Sequence, residues 1–483
     1  MTLAAPILVP SGVKAGMTAP SRVWRNQEAP KIICDFHHSA KQKALELCHK
    51  RFVVVPAGRR SGKTAIAKRK IVRAALAETE WEDARFFCAA PTRDQAKRIF
   101  WKDLKRMIPR ELVRGDPRES ELIIPLYNGA EIHVVGMDKP QRIEGPPWNG
   151  GIVDEYADMK REAWPENIRP ALTDRVGWCW LIGVPDGRNH YFDLYTDANR
   201  PASAAEWATF TWPASEVLHL YLGRVEGRRM GLAGEALEEY CRQAAAAEIA
   251  SAQRSLDPLT YDQEFNASFV TFEGRAYYQF SMEKHAARAL NYDPQRDLVL
   301  CFDFNRSPGV AVVCQEVGDQ THVIGEVWIP RNSTTPAVCR KLIADWGQHS
   351  GRVTCYGDAT GGAKGTAKVE GSDWDLIEAE LRPTFKGQLS FNVSAANPKE
   401  RARVNAVNSR LQSASGEVRL LVDPGKAPQT ARDLDSVVTL KGGAGEIDKD
   451  IDSSLTHLSD SIGYYIEKEF PVGGGQTTTV RQL

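Results

Sequence analysis

An α/β chain in two parts is predicted, a parallel sheet first and a mixed sheet after it, on three observations. Between residues 52 and 184 short apolar runs alternate with helix-like segments. From about 203 to 262 the strand signals vanish into an Ala/Glu/Arg-rich helical stretch, and after Phe272 three strand-like runs follow one another across tight turns. Alternation of this kind makes parallel α/β sheets, whereas successive strands make an antiparallel meander. At 483 residues the chain also exceeds one ordinary core, since domains usually hold about 100–200 residues.

The elements run in order. Residues 1–29, rich in Pro, Gly, Ala and Ser, are expected as a flexible arm. Residues 30–202 carry the first domain, with strands at Phe52–Val55, Phe86–Ala90, Glu131–Val135, Ile152–Val153 and Trp178–Val184 and helices at Ala65–Leu76 and Asp94–Met107. Residues 203–267 read as a small helical lid or linker that includes Glu235–Ser255. In the second domain, 268–470, the meander Leu298–Asp303, Gly309–Glu316 and His322–Ile329 leads to a helix (Pro336–His349), a strand (Val353–Gly357), a basic helix (Pro398–Ser413), a strand (Val418–Val422) and a final helix (Ser454–Glu467). Lys441–Asp452 is a Gly/Asp-rich flexible loop, and 471–483 a Gly-rich flexible tail.

Composition narrows the class. With 42% hydrophobic and 26% charged residues the chain has the makings of ordinary globular cores, and nothing in it is long and apolar enough to cross a membrane. Met1–Gly12 has no leading basic residue and no clear cleavage site, so the cytoplasm is the default. Nine cysteines without a Cys-x-x-Cys pair argue for buried, reduced thiols over a disulfide or zinc framework. The 62 basic and 62 acidic residues cancel. That balance counts against a static nucleic-acid coat but not against an enzyme with a local basic track and acidic sites.

Phe52-Val-Val-Val-Pro-Ala-Gly-Arg-Arg-Ser-Gly-Lys-Thr64 is an apolar strand, a turn and a helix start, the context of a P-loop. Backbone amides from Gly58 through Arg59, Arg60, Ser61 and Gly62 can cradle phosphates, Lys63 can reach the β and γ phosphates, and Thr64 can hold Mg²⁺. Ala57 stands where a first Gly is usual. Gly151-Ile-Val-Asp-Glu155 ends a strand in two acids: Asp154 suits the Mg²⁺ of bound ATP, and Glu155 suits polarising the attacking water. An isolated Asp-Glu pair is more often a solvated strand end; its place 91 residues after Lys63 is what singles it out. Ser39-Ala-Lys-Gln42 suits adenine reading through the Gln42 amide, with an exposed helix glutamine as the alternative.

Asp303 and Asp358 end strands, and Asp460 sits in the last helix. Acids from a central strand, its neighbour and a packing helix can converge, and converging carboxylates call for cations, here a Mg²⁺ or Mn²⁺ pair that cleaves phosphodiesters. The order of meander, helix, strand and helix is ribonuclease-H-like. Glu326 is a possible fourth acid; His457 reads as a packed or exposed helix residue, with support of the metal site as the alternative.

These motifs together resemble the large terminase subunit of tailed bacteriophages, from about Phe36 to Phe470. Ala57–Thr64 matches its Walker A motif, Ala90-Pro-Thr-Arg-Asp-Gln-Ala96 the following segment, Arg142 ahead of Val153-Asp-Glu155 the arginine and Walker B region, and Ile182-Gly-Val-Pro-Asp-Gly-Arg-Asn189 the coupling motif. Tyr261-Asp-Gln-Glu-Phe265 matches the approach to the nuclease, and Asp303, Asp358 and Asp460 its three acids. Val184 departs from the usual hydroxyl before Pro185, which leaves Asn189 to sense the γ-phosphate. The resemblance implies a RecA/ASCE-like P-loop ATPase that drives double-stranded DNA into a procapsid and a nuclease that cuts concatemeric DNA. It further implies a homo-oligomeric ring on a portal protein, a small terminase subunit and the host cytoplasm. Arg142 would act as an arginine finger toward a neighbouring subunit, with Arg59 or Arg60 as rivals in cis and a surface ion pair as the plain alternative. A helicase or repair ATPase with an accessory nuclease is the competing reading, but residues 270–470 lack the second RecA-like core it would need. A scaffold with decayed sites fits poorly, since Lys63, Thr64, Asp154, Glu155 and all three Asp are retained.

Overall fold

Strand β1 (Phe52–Pro56) is buried along its whole length, and its alternate residues enter different cores. Val53 and Val55 join one apolar cluster with Ile66, Ile71 and Phe100, while Phe52 and Val54 join another with Trp164, Leu181 and Tyr191. A strand covered on both faces is the signature of a central parallel sheet. The structure, a computed structural model, describes residues 38–472 except 78–79, 271–273, 288–289, 305–306, 363–371, 441–444, 451 and 453–454. The expected arm at 1–29 and all of the tail beyond residue 472 lie outside those residues, as does part of the predicted 441–452 loop.

The chain divides into two compact units, one holding the residues up to Ile249 with Asp262–Val270, the other Ala250–Tyr261 with the residues from Thr271 on. In the first, helix α1 (Ala40–Glu46) precedes β1 and helix α2 (Lys63–Leu76) follows it. Strands β2 (Arg85–Ala90), β3 (Ile123–Pro125), β4 (Glu131–Gly136), β5 (Gly150–Val153), β6 (Trp178–Gly183) and β7 (Trp207–Thr209) complete a sheet of order β3-β4-β2-β5-β6-β1-β7. Every pairing in it is parallel except β3 with β4. Parallel strands bring their carboxyl ends to one edge, where the loops after β1, β5 and β6 emerge. Helix α3 (His190–Ala198) follows; α4 (Gly234–Ser255) begins in this unit and ends in the second, and α5 (Pro258–Glu264) begins in the second and ends in this one. The predicted helix over 94–107 is continuous but contains a π-turn at Lys97–Trp101.

In the second unit β8 (Leu298–Asp303), β9 (Gly309–Val317) and β10 (Gln320–Ile329) form the antiparallel meander, turning through Gly318 at φ 67°. Strands β11 (Val353–Gly357), β12 (Leu389–Phe391) and β13 (Leu420–Val422) add in parallel, giving β12-β11-β8-β9-β10-β13. The faces of β8 again part: Val299 and Cys301 pack with helices α8 (Glu400–Leu411) and α10 (His457–Glu469), and Leu300 and Phe302 with α6 (Thr335–Trp346) and α7 (Asp373–Phe385). Helix α9 (Pro428–Ser436) precedes α10, which lies across β8, β9 and β11.

Three strands were not expected from the sequence, β3, β7 and β12, and β7 falls where strand signals were expected to vanish. Each spans three residues at a sheet margin, too short for alternation to show. Seven of the eight described cysteines are buried and all eight are free thiols. Among the described residues no helix is long and apolar enough to cross a membrane.

Candidate nucleotide and acidic sites

After Pro56 the chain turns through Ala57–Gly62 into α2, with Arg60 at φ 54° and Gly62 at φ 77°. A Cβ at Gly58 would stand 2.4 Å from the Phe265 carbonyl oxygen and 2.8 Å from the Ala214 nitrogen, so the close approach of three backbones requires glycine there. The Ser61 carbonyl accepts from Gln42 Nε2 at 2.8 Å and from the Trp212 indole at 3.1 Å, while its own Oγ is buried with no hydrogen-bond partner among the described residues. Arg59 is held from outside the loop: its side chain donates to Glu264 Oε2 and its N–H to the Glu264 carbonyl, both at 2.5 Å.

The first residue pairs of α2 and the end of β5 meet. Thr64 Oγ1 donates to Asp154 Oδ2 at 2.8 Å, and the buried Lys63 Nζ lies 4.0 Å from Glu155 Oε1. Glu155 sits at φ 53°, and its N–H donates back to Asp154 Oδ1 at 2.9 Å. Burial raises the Asp154 carboxyl, the Glu155 charge adds to the rise, and Lys63 and Thr64 oppose it. A hydroxyl and a carboxylate side by side, short of compensating charge, fit a hard divalent ion.

Other candidates are engaged differently from what the motifs suggest. Gln42 is buried, its Oε1 accepting the Ser39 N–H at 3.0 Å while its Nε2 grips Ser61, so the amide braces the loop. Asn189 caps α3, accepting from the Tyr191 N–H at 2.9 Å and donating to the Ala157 carbonyl at 3.1 Å. Arg142 forms an exposed pair with Asp138 at 2.9 Å. Sequence reasoning missed Gln263, whose Oε1 accepts the Gly187 N–H of the coupling segment at 2.9 Å.

In the second unit each acid has its own partner. Asp303 Oδ2 lies 3.1 Å from His457 Nδ1. Asp358 Oδ1 accepts from the Thr360 N–H and hydroxyl at 2.6 Å and from Asn397 Nδ2 at 2.7 Å, and its Oδ2 from the Tyr464 hydroxyl at 3.4 Å. Burial acts to raise Asp358, but the Thr360 and Asn397 bonds prevail and hold it below the usual range. The buried Asp460 faces two cations, Arg403 at 3.1 Å and Lys449 at 3.2 Å; burial raises its carboxyl against them, and Asp303 reinforces the rise. Lys449 also lies 3.2 Å from Glu400, and the Arg403 guanidinium stands 4.3 Å above the Tyr464 ring.

The expected three-aspartate metal cluster is therefore not ready-formed: among the described residues no three His, Cys, Asp or Glu side chains stand together at liganding range. Donors and cations engage each carboxylate, and Lys449 between Asp460 and Glu400 shows that the region accepts a cation. Glu326 is not part of this region, since its carboxylate accepts the Gln429 and Thr430 N–H groups and the Thr430 hydroxyl and so caps α9. His457, expected as a packed or exposed helix residue with support of the metal site as the alternative, reaches Asp303. Arg403, Asn397 and Lys449 carried no local signal, although Tyr464, one turn after Asp460, shares its helix face.

Known proteins resemble this chain in sequence and in fold. Residues 55–280 match the family model described as terminase large subunit, T4likevirus-type, N-terminal. Large terminase subunits of Thermus phage G20c and Thermus virus P23-45 are each 28% identical over 156 residues, 29% of this chain, and the match spans about a third of those relatives, 32%. The large terminase of a thermophilic bacteriophage shares the fold at 16% identity with a TM-score of 0.54, covering 89% of this chain and 98% of that one. The complex of that phage terminase with ATP-gamma-S gives a TM-score of 0.55, again over 89% of this chain. Residues 55–280 are thus similar to the N-terminal part of terminase large subunits, and the fold along 89% of the chain is that of a phage large terminase.

Proposed function

We propose that the chain is the catalytic subunit of a viral DNA-packaging machine, in which ATP hydrolysis drives double-stranded DNA into a procapsid and a metal-assisted nuclease cuts concatemeric DNA. The observation that carries the reading is the meeting of Thr64 with Asp154 and of Lys63 with Glu155, which joins the P-loop to the acids after β5. Lys63 and the loop amides hold the phosphates, Glu155 orients the attacking water, and Thr64 and Asp154 hold Mg²⁺, which supplies charge neutralisation at the transferring phosphoryl. In the second unit Asp303, Asp358 and Asp460 would hold Mg²⁺ or Mn²⁺, with His457, Asn397 and Tyr464 fixing the side chains that do so.

A ring of copies on a portal protein, a small terminase subunit that selects DNA, and action in the host cytoplasm belong to the same reading, supported by the family. Arg142 is proposed as the finger that reaches the neighbouring copy's nucleotide, which requires release of its Asp138 pair. The test is direct. Purified protein with plasmid DNA and Mg²⁺ or Mn²⁺ should hydrolyse ATP and cleave DNA, and Arg142→Ala mixed with Glu155→Ala should regain ATP hydrolysis. A folded protein with neither activity, alone or with procapsids, overturns the proposal.

A further inference from the structure

A cavity of about 910 Å³ opens beside the P-loop, bounded on one side by Arg60–Ala65 and on the other by the segment after β7 and by Glu248. That second wall is mostly apolar, formed by Leu218, Tyr221, Leu222 and Val225, with Glu226 and Glu248 beside them. Tyr221 and Val225 are 39% and 66% exposed, so both side chains are open to a ligand. Ser61, whose buried Oγ has no hydrogen-bond partner among the described residues, lies on the P-loop side of the same cavity. Gln42, the residue whose position suggests base reading, is absent from the lining and has its amide bonded to Ser39 and Ser61.

We propose that the nucleobase of the bound triphosphate lies against this wall, stacked on Tyr221, so that the site accepts ATP and GTP with little discrimination. The inference rests on the nucleotide-site reading above. Stacking is tolerant of base identity because every base presents a π-face, whereas selection needs donors and acceptors matched to a base edge. Beyond the Tyr221 hydroxyl, the polar side chains on the wall are Glu226 and Glu248. As carboxylates they only accept hydrogen bonds, and both adenine and guanine offer them an amino group.

The test compares ATP and GTP in steady-state hydrolysis, and in equilibrium binding of their non-hydrolysable analogues so that a result is obtained even where turnover is slow. Wild-type kcat/KM for the two should lie within about tenfold. Tyr221→Ala should raise KM and Kd for both by about tenfold or more, with the effect in KM rather than kcat, and Tyr221→Phe should restore binding. Gln42→Ala should weaken both nucleotides by the same factor, because it loosens the loop. A preference for ATP above about a hundredfold, an unmoved Kd in Tyr221→Ala, or loss of ATP alone in Gln42→Ala overturns the proposal. Inorganic tripolyphosphate separates the two layers: if it fails to compete with ATP, the phosphate cradle itself is wrong, whereas competition by tripolyphosphate with strict ATP selection refutes only the stacking wall.

Discussion

The P-loop site and the acidic site are held in place by opposite means. Around Gly58–Thr64 position comes from backbone: carbonyls and amides from Ala214, Phe265 and Glu264 press on the loop, and Gln42 and Trp212 grip one carbonyl. Around Asp460 position comes from side chains, with Arg403 and Lys449 tied by charge to its carboxylate and His457 bonded to that of Asp303. A site framed by backbone keeps its shape before any ligand arrives; one framed by side-chain charge can rearrange when a cation of higher charge competes.

The sharpest test separates the two. Lys63→Ala should cut ATP hydrolysis by about a thousandfold or more through loss of the phosphate clamp, while plasmid cleavage persists. Equal loss of both activities in a folded variant breaks the contrast. Asp303→Asn should do the reverse, lowering cleavage about a hundredfold with ATP hydrolysis retained; cleavage at the wild-type rate with Mn²⁺ would make Asp303 structural.

Backbone framing predicts intolerance of a single methyl. Gly58→Ala should lower stability by about 1–3 kcal/mol, read as a fall in Tm, and abolish triphosphate binding, because the atoms it meets belong to backbone and cannot turn aside. Charge framing predicts the opposite kind of response. Lys449→Ala frees Asp460 and Glu400 from their ammonium, so the Mn²⁺ concentration at half-maximal binding, followed by calorimetry, should fall several-fold. An unchanged or raised midpoint would mean that Lys449 does not compete for that position.

Much of this was legible in the sequence because the signals are local. The β1 strand, its turn and α2 are contiguous, Asp154 and Glu155 terminate an apolar run, and the meander announces itself by period-two runs across short turns. What was not legible depends on residues far apart in the chain. Glu264 meets Arg59 across 205 positions and Asn397 meets Asp358 across 39, and no spacing rule foretells such pairs. The same holds for Gln42: its motif is local, but its bond to Ser61 is tertiary.

The smallest expected effect distinguishes the units by pH. A hydrogen bond from His38 holds Glu46 in the first unit down at about 2, so its stabilisation is complete above about 4.5 and is lost as pH falls toward 2. Burial pushes Asp433 in the second unit up to about 7, against the Leu458 and Ser459 N–H groups it caps; its contribution is complete below about 3.8 and is lost as pH climbs to 7. Tm profiles should therefore flatten on the acid side in Glu46→Gln and between those two values in Asp433→Asn, by a few degrees in each case. Identical profiles for both variants and the wild type would remove the distinction.

The indole that bonds the Ser61 carbonyl also makes the loop optically addressable. Trp212 is fully buried, its N–H is 3.1 Å from a carbonyl at the mouth of the phosphate cradle, and indole emission shifts with the field at that N–H. Any displacement of the loop as a triphosphate docks is thereby written into intrinsic fluorescence, and Trp212→Phe identifies that signal among the twelve tryptophans of the chain. Triphosphate binding could then be followed in time without an attached dye.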